Sequence, residues 1–330
     1  MLKTLQNAFK VKDVRHRIFY VLMMLVVVRI GSQLPVPGVD SSYFQEWFAS
    51  QSGDAFNFLD AFTGGSFSQM SICALSITPY ITSSIIMQLL TIAIPKLEEM
   101  QRDGEEGRKK IGAITRYVTV GLSLFESIAM AIGFGNKGLI PDNNFAKMVV
   151  VVAALTAGSA FLMWIGEQIN EKGIGNGISI VLLINIVSRI PSDMVTLYET
   201  FIKGKIIAKG ILAAVIIAAI IVGVVVLVLI LNGAERRIPV QYSKKVQGRK
   251  MMGGQSSHIP LKVNTAGVMP VIFASSIMSF PSVIATFLGK TNGTGWGSKI
   301  LAGMNSNNWF NPQQPLYSVG LLVYIILVIF

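Results

Sequence analysis

SICALSITPYITSSIIMQLLTIAIP, residues 71–95, is the stretch whose reading decides the fold of this chain. It is mostly apolar and long enough to cross a bilayer, which takes about 20 residues of helix. It also carries Ser76, Thr78, Pro79, Thr82, Ser83, Ser84 and Gln88. Polar groups exposed to hydrocarbon are costly, so something other than lipid must lie against one face. Pro79, near the middle, removes one i to i−4 bond and predicts a kink there. Ile77 and Ile81 are four residues apart and share a helical face. A polar helix with a paired isoleucine stripe suits an aqueous passage closed by apolar side chains. Ordinary helix–helix packing accounts for the same residues, with Ser and Thr bonding back to the backbone or across helices.

The rest of the chain places this stretch in a membrane. Of 330 residues, 52% are hydrophobic and only 14% are charged, against about 25% charged in soluble domains. Mean hydropathy is +0.59. The composition predicts an all-α polytopic membrane protein. Apolar windows fall at 18–34, 71–94, 112–133, 148–168, 176–190, 208–231, 265–288 and 316–330. The fifth is short and is expected to lie against protein more than lipid. The first follows a basic N-terminus but has no small-x-small cleavage site, so it reads as a retained span. The last reaches Phe330 within an apolar run, and the expectation is a chain cut short inside its eighth span.

Charge predicts the sidedness. Residues 1–17, 95–116, 167–176 and 232–262 alternate onto one side and hold 19 of the 28 Lys and Arg. By the positive-inside rule that side, with the N-terminus, is cytoplasmic. Residues 35–70 hold four acids and no Lys or Arg, and fall outside. The net charge of +11 fits basic loops meeting anionic lipid, or a basic docking face for a soluble partner. No metal or nucleotide motif is present. Cys73 has no second cysteine, and His16 and His258 lie far apart in sequence. No cofactor is expected.

Two further features exceed a generic bundle. GDAFNFLDAFTGGSFSQM (53–70) presents Phe56, Phe58, Leu59, Phe62 and Phe67, too apolar to sit in water without cost. Residues 55–62 read as two helical turns broken by Gly64-Gly65. This is either a plug-like element or an interfacial helix on lipid headgroups. The loop 232–262 carries three basic pairs, Arg236-Arg237, Lys244-Lys245 and Arg249-Lys250, with Val240, Tyr242 and Val246 between them. That pattern fits a hairpin or strand pair that binds acidic protein or RNA backbone. Positive-inside charge alone is the plainer account.

Reactive chemistry at depth is sparse. Glu126 is the best isolated intramembrane acid, and Glu167 stands at a span end. Arg29, Glu126 and Arg189 are few for a secondary transporter, and no filter of carbonyls or charges is visible. The class that remains is a wide, weakly polar passage with an apolar constriction. A transporter or flippase, and an insertase or assembly scaffold, stand as alternatives.

The residues carry a resemblance as well. LPVPGVD (34–40), FTGGSFSQMSICALSITPYITSSIIMQLL (62–90), EEGRKKIGAITRY (105–117), WIGEQINEKGIGNGISI (164–180), ERRIPVQYSKK (235–245) and HIPLKVNTAGVMPVIFASS (258–276) resemble the SecY family, central subunits of the bacterial protein-conducting channel. Their order and spacing cover nearly the whole chain. The resemblance implies ten spans in two inverted, pseudo-symmetric halves. Residues 1–190 would be the N-terminal half, spans one to five. Residues 191–330 would be a partial second half, spans six to eight, with the basic loop 232–262.

It implies a plug at 55–67, including Phe56, Phe58, Leu59, Phe62, Gly64 and Gly65. It implies a pore ring of Ile77, Ile81, Leu182, Ile186 and Ile272, with a sixth member on a span beyond this chain. Position 182 is Leu where several relatives carry Ile, which keeps the ring apolar. Spans two, three, seven and eight would form a gate into lipid. Arg236, Arg237, Lys244, Lys245, Arg249 and Lys250 would dock cytoplasmic partners. The implied activity is translocation of unfolded secretory polypeptides, and lateral release of signal or membrane helices into the bacterial cytoplasmic membrane, without covalent chemistry. The implied partners are the small membrane subunits SecE and SecG, the SecA motor ATPase, the ribosome, signal sequences and nascent polypeptides, and anionic lipids.

Overall fold

The computed structural model describes residues 9–50, 60, 63–136, 138, 144–201, 207–240, 245–247, 250–252, 257–265, 267 and 317–329, with isolated positions between 270 and 309. The fold is predominantly helical. Helices α1 (Lys12–Gln33), α2 (Ser41–Ser50), α3 (Thr78–Ala93), α4 (Pro95–Arg102), α5 (Glu105–Asn136), α6 (Phe145–Lys172), α7 (Gly177–Phe201) and α8 (Ile207–Gly233) precede four short strands. These are β1 (Glu235–Val240), β2 (Lys245–Gln247), β3 (Lys250–Met252) and β4 (Ser257–Lys262), followed by α9 (Ser318–Ile329). Among the described residues, four helices are long and apolar enough to cross a membrane, and a bent pair makes a fifth candidate. The chain groups into two units, Met1–Pro191 with Phe273–Phe330, and Ser192–Ile272.

The decisive stretch differs from its sequence reading. It is not one kinked helix over 71–94. Residues 64–77 are turns, and helix begins only at Thr78, with Pro79 in its first turn. There the missing N–H is one that no helix would use, so proline starts α3 rather than kinking it. Sixteen residues give about 24 Å of helix, short of a full crossing. The bend comes instead at Ile94, where α4 turns by 102° from α3. Residues 95–116, expected as a loop, are therefore α4 and the start of α5, with only Asp103 and Gly104 between the two helices. Likewise α7 runs to Phe201 through Pro191, well past the short window expected for it.

Irregular backbone at membrane depth needs other partners for its N–H and C=O groups. Here the chain leaving α1 supplies them. Val36 N donates to Met70 O at 3.0 Å, and Ile72 N to Leu34 O at 2.9 Å. Local turns close Ser71 N on Ser66 O (3.0 Å) and Ala74 N on Ser71 O (2.9 Å). Met70 and Ser76, both fully buried, take positive φ of 47° and 53°. Non-glycine residues hold that conformation where the surroundings impose it. One such surround is α6. A Cβ on Gly158 would sit 2.0 Å from Ile72 O, so only glycine lets α6 approach the turns this closely.

An aromatic core backs the same segment. Phe44 of α2 meets Phe134 of α5 edge-on at 4.9 Å between centroids, and Phe67 at 6.1 Å. Val36, Met70, Leu75, Met130, Val151 and Leu155 belong to the same cluster. Asp40 starts α2, its Oδ1 accepting from Ser42 Oγ (2.6 Å), Ser42 N (3.1 Å) and Tyr43 N (3.4 Å). The Ser42 hydroxyl first, then those two backbone N–H groups, holds this carboxyl below its ordinary range. On α5, Thr115, Thr119, Ser123 and Ser127 recur every fourth residue and are all buried. They bond back to their own helix, and Thr156 Oγ1 of α6 donates to Ser127 Oγ at 3.1 Å. Small hydroxyl residues thus make the α5–α6 seam.

In the second unit, α8 is β-branched for much of its length, as in IIVGVVVLVLI (220–230). In water that composition favours a strand. Within a bilayer only helix satisfies every backbone group inside one segment, and the described residues bury none of its apolar window. After it, β1 pairs antiparallel with β4, Glu235 opposite Lys262 through Val240 opposite Ser257. β2 pairs with β3 inside that loop. The strand pair expected in 232–262 is present, and it qualifies the all-α reading.

Candidate pore-lining site

Four of the polar side chains in 71–95 bond to the protein itself, while Ser71 Oγ is buried with no partner among the described residues. Thr82 Oγ1 donates to Thr78 O (3.1 Å), Ser83 Oγ to Pro79 O (2.7 Å) and Thr91 Oγ1 to Met87 O (2.6 Å). Ser76 is answered from α7, where Asn185 Nδ2 donates to Ser76 Oγ at 3.2 Å. These bonds favour packing over wetting for the hydroxyls of α3.

The expected ring residues fall into two groups. Ile77 is fully buried and Ile81 nearly so. Ile77 caps the start of α3, and its Cδ1 lies 3.4 Å from where a Cβ on Gly166 of α6 would be. On α7, Val181 and Asn185 make the buried stripe. Leu182 and Ile186 occupy the next stripe round the helix; Leu182 is half-buried and Ile186 is 46% exposed. The Asn185–Ser76 bond joins the neighbours of Ile186 and Ile77, so the two pairs are brought to one region of the bundle. Ile272 lies outside the described residues.

The expected plug is described only in part. Phe56, Phe58, Leu59 and Phe62 lie outside the described residues. Gly64 and Gly65 take φ of 68° and 83°, which glycine adopts freely. A Cβ on Gly64 would come within 2.7 Å of Asn185 O, so this turn lies directly on α7.

Sequence reasoning missed what holds this turn. Asp60 is buried and ion-paired with Arg189 of α7. Its Oδ1 also accepts from Ser68 N at 2.8 Å. Arg29 Nη1 of α1 donates to Gly64 O at 3.4 Å. The signal was present as one acid in an apolar element and two arginines at span depth, but no spacing links positions 60, 29 and 189.

Of the docking residues, Arg236 and Arg237 are exposed on β1, opposite Leu261 and Pro260. Being consecutive on a strand, they point to opposite faces. Lys245 and Lys250 belong to β2 and β3, while Lys244 and Arg249 lie outside the described residues. Among the described residues no group of His, Cys, Asp and Glu is arranged to hold a metal.

Comparison with known proteins gives a consistent result. The SecY family model matches residues 71–330. The protein translocase subunit SecY of Halalkalibacterium halodurans is 43% identical over 295 residues, spanning 88% of this chain and 68% of that protein. SecY of Escherichia coli K12 is 41% identical over 322 residues, spanning 96% and 70%, and that of Buchnera aphidicola is 41% identical, spanning 96% and 87%. Two solved structures share the fold. A protein-conducting channel superposes with TM-score 0.66 at 17% identity, covering 95% of this chain and 70% of that one. A SecY protein whose plug domain stabilises the closed state superposes with TM-score 0.63 at 18% identity, covering 94% and 69%. With its helices, its buried turn segment and these relatives taken together, the chain belongs to the SecY family of bacterial multi-pass membrane proteins, the non-catalytic subunits of protein-conducting channels.

Proposed function

We propose that this chain passes unfolded secretory polypeptides across the bacterial cytoplasmic membrane and releases signal or membrane helices sideways into lipid. The observation that carries this reading is the buried, non-helical stretch 64–77, packed between α1, α6 and α7 and leading into the short α3. Backbone of this kind occurs at membrane depth where it is buried in protein or lines a cavity. Residues 55–67, including Phe56, Phe58, Leu59, Phe62, Gly64 and Gly65, act as the plug and share positions 64–67 with this stretch. Ile77, Ile81, Leu182, Ile186 and Ile272 form the apolar waist. Such a waist excludes ions by dewetting, yet its branched side chains change rotamer when an extended chain arrives. A signal helix gains about 0.8 kcal/mol for each CH₂ moved into lipid, which offsets parting the bundle.

Direction comes from outside the subunit. The basic loop 232–262, through Arg236, Arg237, Lys244, Lys245, Arg249 and Lys250, docks the ribosome or the SecA motor, and the N-terminus is cytoplasmic. A related Sec61 channel, with TM-score 0.57, is known in a ribosome–channel complex from the endoplasmic reticulum. SecE, SecG and anionic lipids complete the assembly. The N-terminal half is residues 1–190, and 191–330 is a partial second half.

The test is a leak measurement in proteoliposomes. Replacing Ile81 and Ile272 together by Asn brings water into the waist and raises resting ion conductance. Asn at Ile216 and Leu229, exposed on α8, is the control. Equal leak from both variants places the seal elsewhere.

A further inference from the structure

We propose that Asp60, Arg189 and Arg29 form a polar latch that holds Asp60 and residues 63–68 against α1 and α7, and that breaking the Asp60–Arg189 pair frees the segment. Asp60 organises its own turn. Its carbonyl accepts from Gly65 N and from Thr63 Oγ1, both at 3.1 Å, and its Oδ1 accepts from Ser68 N at 2.8 Å. Its Oδ2 is left for Arg189, 129 positions away in sequence. The Asp60 side chain is 3% exposed and that of Arg189 28%. Arg29 adds a second attachment from α1 through Gly64 O.

The chemistry of these attachments makes them releasable. Charge attraction depends on the local dielectric, and it falls about fourfold when the effective constant rises from about 20 to that of water. Apolar contacts carry no such sensitivity. Water entering beside α7 therefore weakens the very bonds that hold the turn, and the weakened turn admits more water. Neutralising Arg189 leaves the buried Asp60 carboxylate without its ion pair, which is strongly destabilising for the latched state. Asp60, Arg29 and Arg189 are thus positioning residues for the closed channel. Only the consequence for ion leak rests on the plug reading proposed above; the latch itself does not.

The sequence contains its own reporter. Cys73 is its one cysteine, is 3% exposed and lies in the stretch that follows the latched turn. In proteoliposomes holding the full chain, labelling of Cys73 by a membrane-impermeant maleimide reads opening of the segment. Asp60→Asn and Arg189→Gln are expected to label at least tenfold faster than the parent. Arg189→Lys keeps the charge and stays near the parent rate, and the exchange Asp60→Arg/Arg189→Asp recovers part of the protection. Should Asp60→Asn fail to fold, the contrast between Arg189→Gln and Arg189→Lys reads the same effect. Glu167→Gln breaks the Arg116–Glu167 ion pair between α5 and α6 and leaves labelling unchanged. Parent-like labelling of both charge-neutralised variants overturns the latch, as does equal acceleration by Glu167→Gln. Ion leak in the same vesicles separates the two ideas: faster labelling without leak retains the latch and overturns the plug reading.

Discussion

Asn185 and Ser76 lie 109 positions apart and meet at 3.2 Å, the amide of α7 donating to a fully buried hydroxyl just before α3. The bond fixes the turn segment on α7 beside the residues expected to line the waist. Asn185 Oδ1 is itself buried without a partner among the described residues. Replacing Asn185 by Leu therefore removes one orphaned acceptor while creating another at Ser76. Burying an unpaired hydroxyl costs about 1–3 kcal/mol, and the net loss is expected near the lower end. Asn185→Leu combined with Ser76→Ala should be closer to the parent than Asn185→Leu alone. Thermal unfolding in detergent measures both, and strict additivity would remove the bond from the account.

Gly158 tests the close approach of α6. A Cβ there meets backbone, Ile72 O at 2.0 Å, and backbone cannot move aside cheaply. Gly158→Ala is expected to destabilise by about 1–3 kcal/mol. Gly121→Ala on α5, where a Cβ meets nothing within 4 Å, should be neutral or stabilising by a few tenths to about 1 kcal/mol. Equal melting of the two variants would contradict the packing described for residues 64–77.

The sequence reading reached the membrane class because a composition this apolar and this poor in charge has few other solutions. It reached the strand pair because basic pairs alternate with Val240, Tyr242 and Val246. It misread 71–94 as one helix, since hydropathy does not register where helix begins. From sequence Pro79 predicts a kink, although proline also opens helices, and only the pairing of 70–72 with 34–36 distinguishes the two. The Asp60–Arg189 pair was invisible for a different reason. Its members sit in elements remote in sequence, and no periodicity reports a tertiary ion pair. Leu182 and Ile186 were named through resemblance, and their accessibility beside buried Val181 and Asn185 emerges only from the packing of α7.

The strand pair β1–β4 carries the docking prediction. Reversing Arg236 and Arg237 to Glu should lower affinity for ribosomes or the motor at least severalfold. Fewer charge contacts also make binding less sensitive to salt. Sedimentation across a salt series measures both, and unchanged affinity and slope would leave positive-inside charge as the loop's whole purpose.

Deletion of residues 57–65 removes Asp60 and Gly64 together with the apolar segment before them. The helices should remain folded, as read by circular dichroism, while resting conductance in planar bilayers rises. Conductance matching the parent would reduce the segment to an interfacial element.

On the proposed function, a polypeptide passes alongside α3 and α7. Photo-crosslinking residues placed singly at Ile81, Leu182 and Ile186 test it directly against a translocation-arrested secretory chain, with Ile216 and Leu229 of α8 as lipid-facing controls. The account predicts adducts from the first three positions, and none from α8, along the hydrophilic part of the arrested chain. Adducts from α8 alone, or equal adducts from all five positions, would contradict it.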